Sequence, residues 1–240
     1  MTKKLFVCFM AFVIFVAVPN LVVAQNVYVN SKGVAMDMES YKKLCSIFSE
    51  DYIELIENDE LQKILSSGLD NIVVKEIYDF AVTRDSYHET SNKSLRIIKS
   101  GTTITLMAKW INEPKIKTYD VIGVRFGSGV SLKGNISFKQ IYKDSSGNNI
   151  EITNHYDRVL SNGFGCSFKV GNGTDYNISI QFDYSGSGIV YGSYQHAKSS
   201  STLAESQKYT ISSSGYGGVF TFDSSVKDKY DAMGGVDLKI

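Results

Sequence analysis

Between Tyr176 and Tyr184 the chain alternates without a break: Tyr176, Ile178, Ile180, Phe182 and Tyr184 are apolar or aromatic, and Asn177, Ser179, Gln181 and Asp183 between them are polar. A period of two sends successive side chains to opposite faces, so such a segment buries one face and wets the other as a β-strand. The same pattern returns at Ile104, Leu106, Ala108 and Trp110, at Ile122, Val124 and Phe126, at Ile136 and Phe138, and at Phe164, Cys166 and Phe168. One-sided strands belong to antiparallel sheets. Ser100-Gly101, Ser145-Ser146-Gly147-Asn148, Asn162-Gly163, Asn172-Gly173 and Gly215-Tyr216-Gly217-Gly218 supply the turn chemistry between them. With roughly eight to eleven strands about ten residues apart, the fold class expected is mainly β, an antiparallel β-sandwich or jelly-roll-like domain.

Upstream of about residue 70 the period changes. After an extended piece from Asn26 to Asn30 and a turn at Ser31-Lys32-Gly33, Asp37 is placed to cap a helix whose apolar stripe is Tyr41, Leu44, Cys45 and Phe48. Ser49 opens a second short helix through Tyr52, Ile53 and Ile56, and Asn58 a third through Leu61, Ile64 and Leu65, ending before Gly68. Each has one apolar face, which must lie on the β region that follows. The division expected is therefore 25–70 for a short helical N-terminal subdomain and 71–240 for the sandwich.

Residues 1–24 read as a signal peptide. Lys3 and Lys4 precede an uncharged apolar run from Leu5 to Val18, Pro19 and Asn20 break it, and Val22-Val23-Ala24 sets small residues before Gln25, so cleavage is expected after Ala24. The alternative is a retained anchor, although the run to Val18 is short for a bilayer. Cys8 lies inside this leader. No second long apolar run follows, so no stable membrane span is expected after cleavage.

Charge narrows the partner class. The 25 basic residues balance 25 acidic ones, and loss of the leader removes Lys3 and Lys4, leaving a slightly acidic chain. A nucleic-acid groove is normally built from a visible basic excess, so nucleic acid is not an expected partner. Cys45 and Cys166 remain in a compartment that permits disulfides, and both sit on apolar faces. A bond between them would close a loop of about 120 residues and add roughly 4–5 kcal/mol by chain entropy; two buried free thiols are the other reading.

Local catalytic and metal signatures are absent from the sequence. His88, His155 and His196 have no zinc-type spacing, and Gly-rich pieces such as Gly127-Ser128-Gly129 and Gly186-Ser187-Gly188 lack the Lys-Ser/Thr and helix that a phosphate loop needs. His155-Tyr156-Asp157 puts His and Asp on one side of an extended segment, a pair that could hold a metal or a proton, but its place between strands reads first as a turn. No cofactor and no metal are expected. A carboxylate pair matched only in space is invisible at this level.

Two stretches offer surface chemistry. Tyr184 to His196 carries Tyr191, Tyr194 and His196 among small residues, and these three are the candidate ligand-binding set, since exposed aromatics stack on sugars or fill a partner's pocket. Ser199 to Gly218 is rich in Ser, Thr and Gly and reads as a solvent-facing loop followed by a strand from Tyr209 to Ser212; it lacks the sustained apolar alternation of a membrane-inserting hairpin.

The mature N-terminus, Tyr28-Val29-Asn30-Ser31-Lys32-Gly33-Val34, with Tyr41, Phe48 and Tyr52, and the later Tyr191-Gly192-Ser193-Tyr194-Gln195-His196-Ala197 and Tyr209-Thr210-Ile211-Ser212, resemble uncharacterised exported proteins of low-GC Gram-positive bacteria. The resemblance covers about half the chain. It implies export and a β-rich fold and brings no activity with it. The function expected is a secreted, extracellular or surface-associated, non-enzymatic binding protein with an unidentified glycan or protein partner. A hydrolase with a carboxylate-based site and a pore-forming protein are the alternatives.

Overall fold

The computed structural model describes residues 26–79, 93–212, 219–231, 233 and 235–240. The leader with its cleavage position after Ala24, Cys8, His88 and the turn at Gly215 to Gly218 lie outside the described residues. The N-terminal part holds β1 (Val27–Val29), β2 (Ala35–Asp37), α1 (Met38–Phe48), α2 (Glu50–Glu54) and α3 (Asn58–Leu65). The sandwich strands follow: β3 (Val73–Asp79), β4 (Lys93–Ser100), β5 (Thr103–Trp110), β6 (Tyr119–Phe126), β7 (Val130–Lys143), β8 (Asn149–Ile152), β9 (Tyr156–Leu160), β10 (Gly163–Lys169), β11 (Thr174–Gly186) and β12 (Ile189–Gln195). After them come α4 (Leu203–Ser206), β13 (Tyr209–Ile211), β14 (Phe220–Phe222) and β15 (Val236–Lys239).

Two antiparallel sheets face each other, one of six strands in the order β3-β4-β5-β11-β7-β8 and one of five in the order β15-β12-β6-β10-β9. The chain is mainly β, a sandwich with short helices near its N-terminus. The alternating residues form the core between the sheets: Ile104, Leu106, Ala108, Ile122, Val124, Phe164, Cys166, Phe168, Tyr176, Ile178 and Ile180 are all fully buried there.

The helices cover the other face of the six-stranded sheet. Leu44, Phe48, Tyr52, Ile53, Leu61 and Ile64 pack with Ile98, Met107 and Ile141, the residues of β4, β5 and β7 that point away from the first core. Asp37 caps α1 as its sequence position indicates, accepting from the Ser40 amide at 2.8 Å. The third helix is capped one residue earlier than expected, with Glu57 at the N-cap and Asn58 inside. Asn30 fixes the entry of the chain: its side-chain amide donates to the Ile53 and Ile56 carbonyls at 2.9 and 2.8 Å, and its carbonyl oxygen accepts from Lys32 and Val34. A buried amide satisfied on all sides positions a turn that apolar contact alone would leave free to slide.

A third layer, β13 and β14, lies on the outer face of the five-stranded sheet, with Tyr209, Ile211 and Val219 against Val121 and Tyr230. Glycine makes this possible. A Cβ on Gly165 would come within 2.3 Å of the Tyr209 hydroxyl, and one on Gly123 within 2.7 Å of the Phe220 ring. Within the stretch expected to be open loop, Thr202 and Glu205 form a reciprocal capping box and start α4, and Ser201 and Ser206 are buried. The Thr-x-x-Glu spacing that signals such a turn is present in the sequence.

Candidate functional site

Tyr194 and His196 do not form the exposed surface expected of them. Tyr194 is fully buried and His196 only 2% exposed: residues 190, 192 and 194 take the inward face where β12 pairs with β6, and His196 follows directly after the strand's last residue. The Tyr194 hydroxyl donates to Asp120, and Trp110 Nε1 donates to that hydroxyl at 3.0 Å. His196 Nδ1 meets Asp120 at 2.9 Å, and the Ala197 amide donates to the same carboxylate at 2.9 Å. Burial and the Asp120 charge push the Tyr194 hydroxyl well above its usual range. Burial opposes a charge on His196, yet Asp120 prevails and raises its pKa. Tyr191 alone points outward, half-buried, with the Arg125 guanidinium 3.7 Å over its ring. The three residues divide between a core network and an outer-face stack, and only Tyr191 is within reach of a partner.

Cys45 and Cys166 are free thiols rather than a disulfide. Cys45 is half-buried on α1, in the layer between helices and sheet, and Cys166 is in the core between the sheets. The six-stranded sheet stands between them, a separation no disulfide spans. Cys166 donates instead to Asp157 at 2.9 Å, and His155 Nε2 lies 2.9 Å from the same oxygen. The ligand atoms of His155, Asp157 and Cys166 fall within 4.8 Å of one another, a donor set suited to zinc. As folded they satisfy one another: burial would raise Asp157, but hydrogen bonds from His155 and Cys166 lower it, while burial and the Asp157 charge hold the Cys166 thiol well above its usual range.

Convergent acids occur at the junction of the helices and the six-stranded sheet. Glu60 and Glu151 both approach Lys139, at 2.8 and 3.7 Å, and Glu151 also pairs with Lys32 at 2.8 Å. Lys139 Nζ donates as well to the Leu55 carbonyl at 3.1 Å. Each acid is matched by a cation, the arrangement of a structural latch rather than of an acid and base poised apart.

The surface that offers ligand chemistry is elsewhere. At one end of the outer face of the five-stranded sheet a hollow of about 590 Å³ is lined by Lys117, Tyr119, Asn154, Tyr156, Lys169 and Asn172, among others. The register explains the grouping: Lys169 of β10 pairs with Tyr119 of β6, and Tyr156 of β9 pairs with Ser167, so all three side chains emerge on one face. Tyr156 is 50% exposed, and Tyr119 is half-buried. Lys117 is fixed by Glu113 and by the Gly173 carbonyl at 3.2 Å. The sequence carried Tyr156 only as the middle of a His-x-Asp triplet, because exposure on an edge strand is set by which strands end where. A volume of this order fits a small ligand or one or two sugar rings.

No protein-family model matches this chain, and no curated protein does. Among solved structures it is similar to the KRT10-binding region domain of the pneumococcal serine rich repeat protein PsrP, at 9% identity over 52% of this chain and 84% of that one, with a TM-score of 0.32. A similar likeness, at 11% identity, 51% and 83% coverage and a TM-score of 0.30, holds for ACE19, the collagen binding subdomain of Enterococcus faecalis surface protein ACE. Likeness at these levels carries no argument about what this chain binds.

Proposed function

We propose that this chain is an exported, non-enzymatic binding module that takes a glycan in the hollow around Tyr156. The observation that carries the reading is that the exposed Tyr156 and a second aromatic, Tyr119, line one concavity with Asn154, Asn172, Lys117 and Lys169. An aromatic face stacks on the apolar side of a sugar ring while amides and ammonium groups bond its hydroxyls. The platform is rigid, since Tyr119 and Tyr156 stand on hydrogen-bonded strands. Export rests on the leader-like residues 1–24, and the helices of 25–70 are read as a layer that stiffens the sandwich of 71–240.

The test is binding of the intact protein to a glycan array, with Tyr156→Ala as the comparison. Wild type should retain defined glycans, and the variant should bind them about tenfold more weakly, the equivalent of about 1.4 kcal/mol, with unchanged circular dichroism. Retention that is indifferent to Tyr156→Ala, or retention only of proteins on a matched protein array, would overturn it.

A further inference from the structure

An ion pair of the described residues sits in the core of the sandwich. Lys93, first residue of β4, has a side chain with no solvent exposure, and its ammonium contacts Asp231 of the segment leading to β15, itself only 12% exposed. The Trp110 and Tyr194 rings flank Lys93 Nζ at 5.4 and 5.9 Å. Taking both charges out of water is costly, and attraction within the pair repays that cost only in part. From the five-stranded sheet, Asp120, Tyr194 and His196 complete the surroundings, and the His196 amide donates to Asp231 Oδ1 at 3.0 Å.

We propose that Lys93 and Asp231 condense in the folded protein into an intramolecular amide between Nζ and Cγ. The geometry holds the two reactants in contact, which replaces a bimolecular encounter by a positioned one. Transfer of one ammonium proton to the carboxylate gives a neutral amine and a neutral acid, the forms that a dry site favours. Burial indeed raises the Asp231 carboxyl despite the opposing pull of Lys93. The amine lone pair then forms the Nζ–Cγ bond, and negative charge develops on Oδ1, where the His196 N–H donates. The proton now in excess on Nζ moves to the Oδ2 hydroxyl. The Cγ–Oδ2 bond breaks, water leaves, and Oδ1 returns to a carbonyl. Nothing is oxidised or reduced, and the one product besides the amide is water. A core that excludes water also protects the bond from hydrolysis. The product joins β4 of one sheet to the entry of β15 in the other, across 138 residues of chain.

Tryptic digestion of the purified full-length protein, followed by tandem mass spectrometry, tests this. Amide formation blocks cleavage after Lys93, so residues 85–96 should be recovered joined to 230–239, lighter by one water than the two peptides summed. Lys93→Arg should give only linear peptides. Recovery from wild type of a peptide ending at Lys93, together with unmodified 230–239, would overturn the proposal whatever the variant does.

Discussion

A single carboxylate oxygen, Asp157 Oδ1, serves both the His155 ring and the Cys166 thiol. The hydrogen bond to Asp157 raises the His155 pKa even though burial acts against it. Replacing Asp157 by Asn removes the charge and leaves the burial, so His155 should titrate lower in Asp157→Asn than in wild type, where it lies above the ordinary value of about 6.5. The ring-proton shifts of His155 in an NMR titration would show this. Coincident titration curves in the two proteins would mean that Asp157 does not set the His155 charge. Residues 155 and 157 are legible as sharing a face, because spacing two along an extended chain dictates it. Their third member, Cys166, is not, because the pairing of β9 with β10 decides which residue stands opposite Asp157. For the same reason Tyr194 and His196 go to the core: an alternating tyrosine has one face to choose, and the register with β6 chose the inner one.

Among the elements, the helical layer shows how an ion pair joins two structures that apolar packing has already brought together. Lys139 of β7 is 7% exposed and reaches Glu60 of α3, Glu151 of β8 and the carbonyl of Leu55. Lys139→Ala would leave Glu60 beside an apolar layer without its cation, while Glu151 keeps Lys32. A loss of about 3–5 kcal/mol is expected, measured by urea denaturation, whereas a loss below about 1 kcal/mol would show an ordinary surface pair. The helices themselves were readable from i, i+3, i+4 spacing, and their caps fall within a residue of the sequence signals. The hairpin of β13 and β14 was half readable. Its first strand begins at Tyr209 as expected, but its seat over Gly123 and Gly165 requires the absence of side chains on two strands far away in sequence.

For the whole molecule, the network of Lys93, Trp110, Asp120, Tyr194, His196 and Asp231 joins both sheets and the C-terminal segment. His196 has a folded pKa raised above its unfolded value, so its contribution to stability is complete below about pH 6.5 and is lost as pH rises through the folded pKa. His155 acts in the same direction. Tm should therefore fall as pH rises above about 6.5, followed by calorimetry, and the fall should be smaller in His196→Gln. A Tm that climbs over that range would contradict the assignment. The proposed amide also cross-links the denatured chain, which by loop entropy alone stabilises the fold by about 5 kcal/mol.

The sequence by itself determined the sandwich, the helical layer and the inward face of nearly every strand, because periods of two and of 3.6 are local properties of a chain. It also carried the near-neutral charge that makes nucleic acid an unexpected partner. Which groups meet was decided only in three dimensions. Lys93 and Asp231, 138 residues apart, become neighbours because β4 and the entry to β15 close the same end of the sandwich, and Tyr119 and Tyr156 share a hollow because β10 lies between their strands. Strand order and register are contacts between distant segments, and no local pattern records them.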